Sequence, residues 1–338
     1  TYFQSHNLDF KKIKRLADLE NLPPITRISL IDSPKEDFIA KTLLEKDIIW
    51  GKSSGSTTGT PFVWGSPKAS WEVDELAHYI RNLEDYSFLF SKNKYKNFYL
   101  HLNYAGTNEP FKHFFLGNFY LINYDKNVNE AVLNIVKTMQ ENPDCILRCA
   151  PSELVFFIHK LQELHLQVPV VFCSTTGQPL TEETRIFAEN YLRCPVRPVY
   201  GTQELGGIAM ACKDHPTLMH ILSERAIVEI IDEDQKNVPE GELGNITVTS
   251  LENTFMPLIR YQPGDVGRLH TTRICSCANQ SPLLEIEGRN YDFIQFRDKR
   301  KVPITRILRL FGNEPFLSKI RRIQLQQQKL DEVIILLE

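Results

Sequence analysis

Residues 168–207 read VPVVFCSTTGQPLTEETRIFAENYLRCPVRPVYGTQELGG, and their alternation decides the fold class. Val168 to Cys173 is a short apolar run of the kind that forms a buried strand. Thr181 to Leu192 opens with a threonine cap and carries acidic residues in its first turn, which predicts a helix. Val196 to Tyr200 is a second short strand. The order is strand, helix, strand, with a loop closing each strand, and such crossovers belong to layered α/β proteins with mostly parallel strands.

Outward from this unit the same texture continues toward the N-terminus. Asn129 to Met139 predicts a helix, and another begins after Pro151, where proline suits the first turn; it sets Leu154, Ile158, Leu161 and Leu164 on one face. Ser70 to Phe90 predicts a further helix from Trp71, Leu76, Ile80 and Leu83. From Ala226 the pattern changes to AIVEIID, the turn-rich DEDQKNVPEGELG, NITVTSL and PLIRYQPGD. These alternations predict an antiparallel meander appended to the α/β core.

The chain has 338 residues, 42% hydrophobic and 24% charged, enough for a large core and more than one domain. Its formal net charge is -3, from 39 basic and 42 acidic residues, so no global field draws nucleic acid or an anionic membrane. Neither a spanning apolar run nor an opening signal peptide is visible, and the expectation is a cytoplasmic protein with no nucleic-acid or membrane partner. The oligomeric state is not legible. Seven cysteines at irregular spacing argue for reduced thiols or a metal site rather than disulfides.

SSGSTTGTP, residues 53–61, is by default a solvated loop. It lacks the lysine of a Walker A loop, so it is not a P-loop NTPase, yet glycines and hydroxyls at this density suit an anion cradle. Three further segments come after it in order: VYGTQELGG (199–207), RYQPGDVG (260–267) and EGRNYDFI (287–294). Together the four resemble the core motifs of the adenylate-forming (ANL) superfamily, in its phenylacetate-CoA ligase and CapK-like branch. DLENLPPITR, NPDCILRCAPSEL, STTGQPLTEETR and CSCANQSPLLEIEGR are similar to that branch as well, and the resemblance covers roughly residues 15–325.

The resemblance implies a large layered N-terminal adenylation domain over 1–288, of mixed sheets with helices, whose β-rich subdomain spans about 220–288. A hinge and the start of a small, incomplete α+β C-terminal domain occupy 289–338. It implies ATP-dependent activation of a carboxylic acid, aryl or related, to an acyl-adenylate with release of pyrophosphate. The acyl group is then transferred to coenzyme A or to the phosphopantetheine arm of an acyl carrier protein. By the same resemblance Ser53, Ser54, Gly55, Ser56, Thr57, Thr58 and Gly59 would grip the phosphates, with Thr58 and Gly59 closest. Glu204 would hold Mg2+, a hard cation that favours carboxylate oxygen. Tyr200 and Gly201 would flank the adenine or acyl pocket, Gly177, Gln178 and Pro179 would line the nucleotide, and Gln203 would hydrogen-bond phosphate. Asp265 would accept from both ribose hydroxyls, Arg289 would contact ribose or phosphate, and Asp292 would be the hinge. The catalytic set so implied is Thr58, Glu204 and Arg289.

Some members are similar in carrying a structural zinc, and Cys212, His220, Cys275 and Cys277 make a four-ligand set here; reduced buried thiols are the alternative. Cys145, Cys149, Cys173 and Cys194 fall in expected core elements. His101, Tyr104, Phe111, His113, Phe114 and Phe115 line an acyl slot or are plain core. Departures from the family are Thr60 where many relatives have lysine, Gln203 where Thr or Ser is usual, and a chain ending soon after Asp292. They keep open a catalytically silent nucleotide-binding homologue, and a second enzymatic reading is an acyl-protein synthetase using its own thiol, which an exposed, low-pKa cysteine near the site would favour.

Overall fold

In the computed structural model the strand–helix–strand unit spans Val170–Thr175, Glu182–Leu192 and Val196–Thr202. Thr181 caps the helix, its Oγ1 accepting from the Thr184 N–H at 3.2 Å, with Glu182 and Glu183 in the first turn against the positive helix end. The two strands run parallel, with Cys173 opposite Val196 and Thr175 opposite Pro198. Cys145–Cys149 adds parallel on the other side, then Lys96–His101 and Gly117–Asn123, and Phe111–His113 closes that edge antiparallel. The structure describes residues 12–40, 47–53, 61–70, 96–101, 111–113, 117–123, 128–212, 214–215, 217–272, 275–277, 279–290, 293–298, 300–304, 307 and 323–337.

Helices Val128–Gln140 and Pro151–Glu163 carry the connections and bury their apolar stripes on this sheet. Leu154, Phe157, Ile158 and Leu161 have no exposed surface, and they share one core with Val132, Met139, Leu147 and Val196. A parallel sheet covered by helices needs apolar residues on both faces of its central strands, which is why Cys145–Cys149 reads CILRC.

By compactness the chain groups as Thr1–Arg81 with Tyr200–Tyr291, and Asn82–Val199 with Asp292–Glu338. The first of these units is built on antiparallel strands. Ala226–Ile231 pairs with Gly244–Ser250 along its whole length, and Gly244–Ser250 pairs in turn with Asp265–His270. Asp265–His270 pairs with Leu283–Arg289 across a bulge at Val266/Gly267, and Leu283–Arg289 with Met219–Ile221. Gly206–Ala211 lies beside Met219–Ile221. A separate hairpin joins Ile48–Lys52 to Val63–Pro67. Two cores fill this unit, one around Ile25, Trp64, Phe255 and Tyr261, the other around Ile208, Ile230, Val248 and Leu284.

The α/β fold class, the layered helical part and the β-rich part agree with the sequence reading. The strands Gly206–Ala211 and Met219–Ile221 were not anticipated. PLIRYQPGD supplies only the two-residue strand Tyr261–Gln262, because Arg260 adopts φ 50° and breaks the extended path. Most of the helix expected at Ser70–Phe90 lies outside the described residues, as does Asp292. Near the C-terminus, Ile323–Lys329 and Glu332–Leu337 form a hairpin.

Candidate active site

Glu204 comes just after the strand Val196–Thr202 in a tight turn whose Thr202 Oγ1 accepts from the Leu205 N–H at 3.2 Å. Gly201 makes that turn feasible: a Cβ there would lie 2.4 Å from the Gly206 carbonyl oxygen. Glu204 is consequently drawn inward and is 5% exposed, whereas Gln203 beside it faces solvent. The Tyr261 hydroxyl donates to Glu204 Oε1 at 2.8 Å. Burial, and then the Glu204 carboxylate, push the Tyr261 phenol well above its ordinary range, so it stays a donor. A small cavity beside Glu204 is lined also by Ser66, Ser70, Arg225, Ser250, Glu252 and Asn253, with Glu252 paired to Arg225 at 2.7 Å. With Glu252 engaged by Arg225, the donors that suit a hard divalent cation such as Mg2+ are the Glu204 carboxylate and the hydroxyls of Ser66, Ser70 and Ser250.

Asp265 begins the strand that faces Leu283–Arg289, and the register sets it directly opposite Arg289. Its Oδ1 meets Arg289 Nε at 2.9 Å and its Oδ2 accepts from the Tyr200 hydroxyl at 2.9 Å. Gly264, at φ 91°, turns the chain just before it, a conformation that favours glycine. Arg289 also donates through Nη1 to the Pro263 carbonyl at 3.4 Å. Tyr200 is buried, and burial together with the Asp265 charge holds its phenol well above the usual range. The two oxygens of Asp265 form an acceptor pair fixed in place by a phenol and a guanidinium.

Ser53 stands at the foot of the Ile48–Lys52/Val63–Pro67 hairpin, where its N–H donates to the Phe62 carbonyl and its Oγ accepts from the Phe62 N–H, both at 2.9 Å. Ser54, Gly55, Ser56, Thr57, Thr58 and Gly59 lie outside the described residues, as do Thr60, Tyr104, Phe114, Phe115 and Lys299. The side chains of His101, Phe111, His113 and Lys301 are likewise not described. Gly177, Gln178 and Pro179 belong to the other unit. There Gly177 adopts φ 82° and Gln178 Oε1 accepts from the Ser152 N–H at 3.2 Å.

The structure gathers Cys212, His220, Cys275 and Cys277, one ligand atom from each lying within 4.8 Å of every other. Cys275 Sγ and Cys277 Sγ are 3.3 Å apart, too far for a disulfide of about 2.05 Å. Cys212 to Cys277 is 3.9 Å, Cys275 to His220 Nε2 3.6 Å, and Cys277 to His220 Nε2 3.0 Å. Tetrahedral zinc with bonds of about 2.0–2.3 Å has edges of roughly 3.3–3.8 Å, close to these separations. His220 Nδ1–H donates to the Ser281 carbonyl at 2.7 Å, which turns the Nε2 lone pair toward the sulfurs. Asp214 accepts from the Ser276 hydroxyl at 2.7 Å and braces the C-x-C loop. The donor set and its spacing fit zinc.

Sequence reasoning named Glu204, Asp265, Arg289, Tyr200 and the four Cys/His positions. It missed Tyr261, although RYQPGD contains it, because nothing local marks a tyrosine as the partner of a glutamate 57 positions away.

No protein-family profile matches the chain. It is 29% identical over 149 residues to a phenylacetate-coenzyme A ligase of Thermus thermophilus, a match covering 42% of this chain and 32% of that enzyme. To the phenylacetate-coenzyme A ligase of Escherichia coli it is 26% identical over 314 residues, 88% of this chain and 67% of the relative. The match thus spans about a third of the first relative's length. Among solved structures, a 2-hydroxyisobutyryl-CoA ligase in the postadenylation state, in complex with R3-HIB-AMP, superposes with a TM-score of 0.74 at 16% identity, covering 99% of this chain and 72% of that one. At that identity the likeness speaks for the fold.

Proposed function

The chain belongs to the adenylate-forming superfamily, in its phenylacetate-CoA ligase-like branch, and from that premise we propose that it activates a small carboxylic acid, aryl or related, with ATP. In this reaction a carboxylate oxygen attacks the α-phosphorus, the bond to the bridging oxygen breaks, and pyrophosphate leaves. A thiol then attacks the acyl carbon and AMP departs. Coenzyme A or the phosphopantetheine of a carrier protein is the acceptor in this reading.

The observation that carries the proposal is the pair of buried, separately braced carboxylates, Glu204 held by Tyr261 and Asp265 held by Tyr200 and Arg289. Burial of a carboxylate is costly unless it is paired or hydrogen-bonded, and two so held in one unit, one in the turn after Val196–Thr202 and one opening Asp265–His270, suit cation and ribose recognition respectively. Glu204 would hold Mg2+, which supplies charge neutralisation at the phosphates when bound. Asp265 would accept from the ribose hydroxyls, Arg289 would steady Asp265 and reach the ribose or phosphate, and Tyr200 and Gly201 would border the adenine or acyl group. Ser53 to Gly59 would grip the polyphosphate with Thr58 foremost, Gln203 would add a phosphate contact, and Gly177, Gln178 and Pro179 would line the nucleotide. Asp292 would serve as the hinge between the 1–288 domain and the C-terminal segment.

The acceptor is taken as an external thiol because the thiols buried around the helix-covered sheet are poorly suited and Cys212, Cys275 and Cys277 are gathered in the cluster with His220. Cys145 is pushed up to about 12 and Cys194 well above its ordinary value, both chiefly by burial, and neither is a ready nucleophile. Zinc at Cys212, His220, Cys275 and Cys277 is part of the proposal as a structural ion.

Acid-dependent exchange of labelled pyrophosphate into ATP tests the reading across aryl, fatty and small hydroxy acids. Exchange with one class is expected, and Glu204→Ala should lower it at least a hundredfold while ATP-independent folding is retained. No exchange from a folded, ATP-binding sample would discard the ligase reading in favour of a silent nucleotide binder.

A further inference from the structure

Arg27 opens the helix Arg27–Asp32 and is only 8% exposed. Its guanidinium carbon lies 5.3 Å from the centroid of the Phe62 ring. Nε and Nη2 are both buried, and neither has a hydrogen-bond partner among the described residues. An arginine keeps its proton in a protein, so the charge is permanent. One ring face returns only part of the hydration such a charge loses, and the remainder calls for an anion.

Two other arginines of the same unit, buried Arg260 and half-buried Arg268, show what a satisfied guanidinium looks like. Arg260 contacts the Glu229 carboxylate and the carbonyls of Glu20, Leu22 and Gln235, and Arg268 pairs with Glu287. Among the described residues, Nε and Nη2 of Arg27 meet no such partner.

Its place in the fold gives the anion an identity. The strand Ile25–Thr26 runs parallel to Tyr261–Gln262 with Ile25 opposite Tyr261, which sets Arg27 just beyond the paired residues. The Arg27 charge is felt at the Tyr261 phenol, which donates to Glu204. Phe62, under the guanidinium, is tied by two hydrogen bonds to Ser53, the first residue of the sequence SSGSTTGTP. That nine-residue segment, Ser53 to Pro61, contains no cationic residue.

We infer that Arg27 is an anion-binding residue that takes a polyphosphate, the β,γ end of a nucleotide or free pyrophosphate, on its Nε/Nη2 edge. Two parallel N–H donors match two phosphate oxygens in the bidentate manner that distinguishes arginine from lysine. The identity of the anion rests on the adenylation reading; the unmet charge does not.

The test uses the full chain and magnesium pyrophosphate, with calorimetric titration and thermal melting of wild type, Arg27→Met and Arg27→Lys. Arg27→Met without ligand should melt at or above wild type, because an uncompensated charge is gone. Its pyrophosphate Kd should rise at least tenfold and its Tm should no longer respond to pyrophosphate, with Arg27→Lys between the two. An Arg27→Met protein that melts lower but binds pyrophosphate like wild type would overturn the assignment and leave Arg27 a packing residue. If Arg27→Met does not fold, an unchanged Kd in Arg27→Lys overturns it equally. Wild type without pyrophosphate binding also overturns it. Exchange measured in parallel separates the two readings: Arg27-dependent pyrophosphate binding without acid-dependent exchange sinks adenylation and keeps the anion site.

Discussion

A carboxylate that is to hold a cation must point one oxygen in a fixed direction, and at Glu204 the phenol of Tyr261 does the pointing. Tyr261→Phe deletes that hydrogen bond and leaves the ring in its core with Ile25 and Trp64. Partners that orient a metal ligand are worth about 10- to 100-fold in metal affinity, so the Mg2+ needed for half-maximal pyrophosphate exchange should rise roughly tenfold. The maximal rate at saturating Mg2+ should change little, and stability should fall by about 1–3 kcal/mol for the buried acceptor left unpaired. A magnesium titration of exchange decides it, because a purely structural tyrosine would lower stability without moving the Mg2+ requirement. Glu204 and Asp265 were legible because each lies in a short motif of fixed local spacing. Tyr261 was not, and Tyr200, read as bordering the pocket, was not legible as the partner of Asp265, since the two are 65 positions apart and meet only when the sheet forms.

Elements were legible where a periodicity ran long enough to be recognised. The helix Pro151–Glu163 has proline in its first turn, and Glu153 Oε2 accepts from the Ala150 N–H at 2.7 Å, closing the N-terminus. Its residues Leu154, Phe157, Ile158 and Leu161 recur at helical spacing and are all fully buried. Phe157→Ala should therefore cost about 3–5 kcal/mol, read as a lower urea midpoint at an unchanged slope. A loss below about 1 kcal/mol would mean that the site collapses around the smaller side chain or that the helix is not packed as described. The strands Gly206–Ala211 and Met219–Ile221 escaped notice for the opposite reason. One starts with two glycines, which are poor strand formers, and the other is three residues long; pairing across the sheet, and not local preference, makes them strands. Cys212 directly follows the first of these strands and His220 lies in the second, so a cluster legible as residue types owes its geometry to elements that were not.

Across the whole chain the cysteines divide into two populations by chemistry. Cys145, Cys149, Cys173 and Cys194 are buried in the helix-covered parallel sheet, and Cys173 in particular is driven well above its ordinary pKa by burial and by the neighbouring Cys149 thiol. Cys212, Cys275 and Cys277 converge on His220, and the last two are partly exposed. The odd count and irregular spacing pointed away from disulfides, and none of the seven is in one; which of them meet depended on strand pairings with no local signature. If zinc occupies the cluster, elemental analysis should give one zinc per chain, and a disulfide-exchange reagent should find almost no fast thiol in the native protein. Chelation should then expose three, and denaturant the other four. His220→Ala should lower zinc occupancy and, with free zinc at about 100 times its Kd for wild type, remove roughly 2.7 kcal/mol of stabilisation. Fast reaction of Cys275 and Cys277 in a protein free of metal, with a melting temperature that zinc does not raise, would instead make the four residues a reduced thiol cluster. The distinction is sharp because thiols held by a metal are thiolates shielded from reagent, whereas partly exposed thiols without metal have nothing to delay attack.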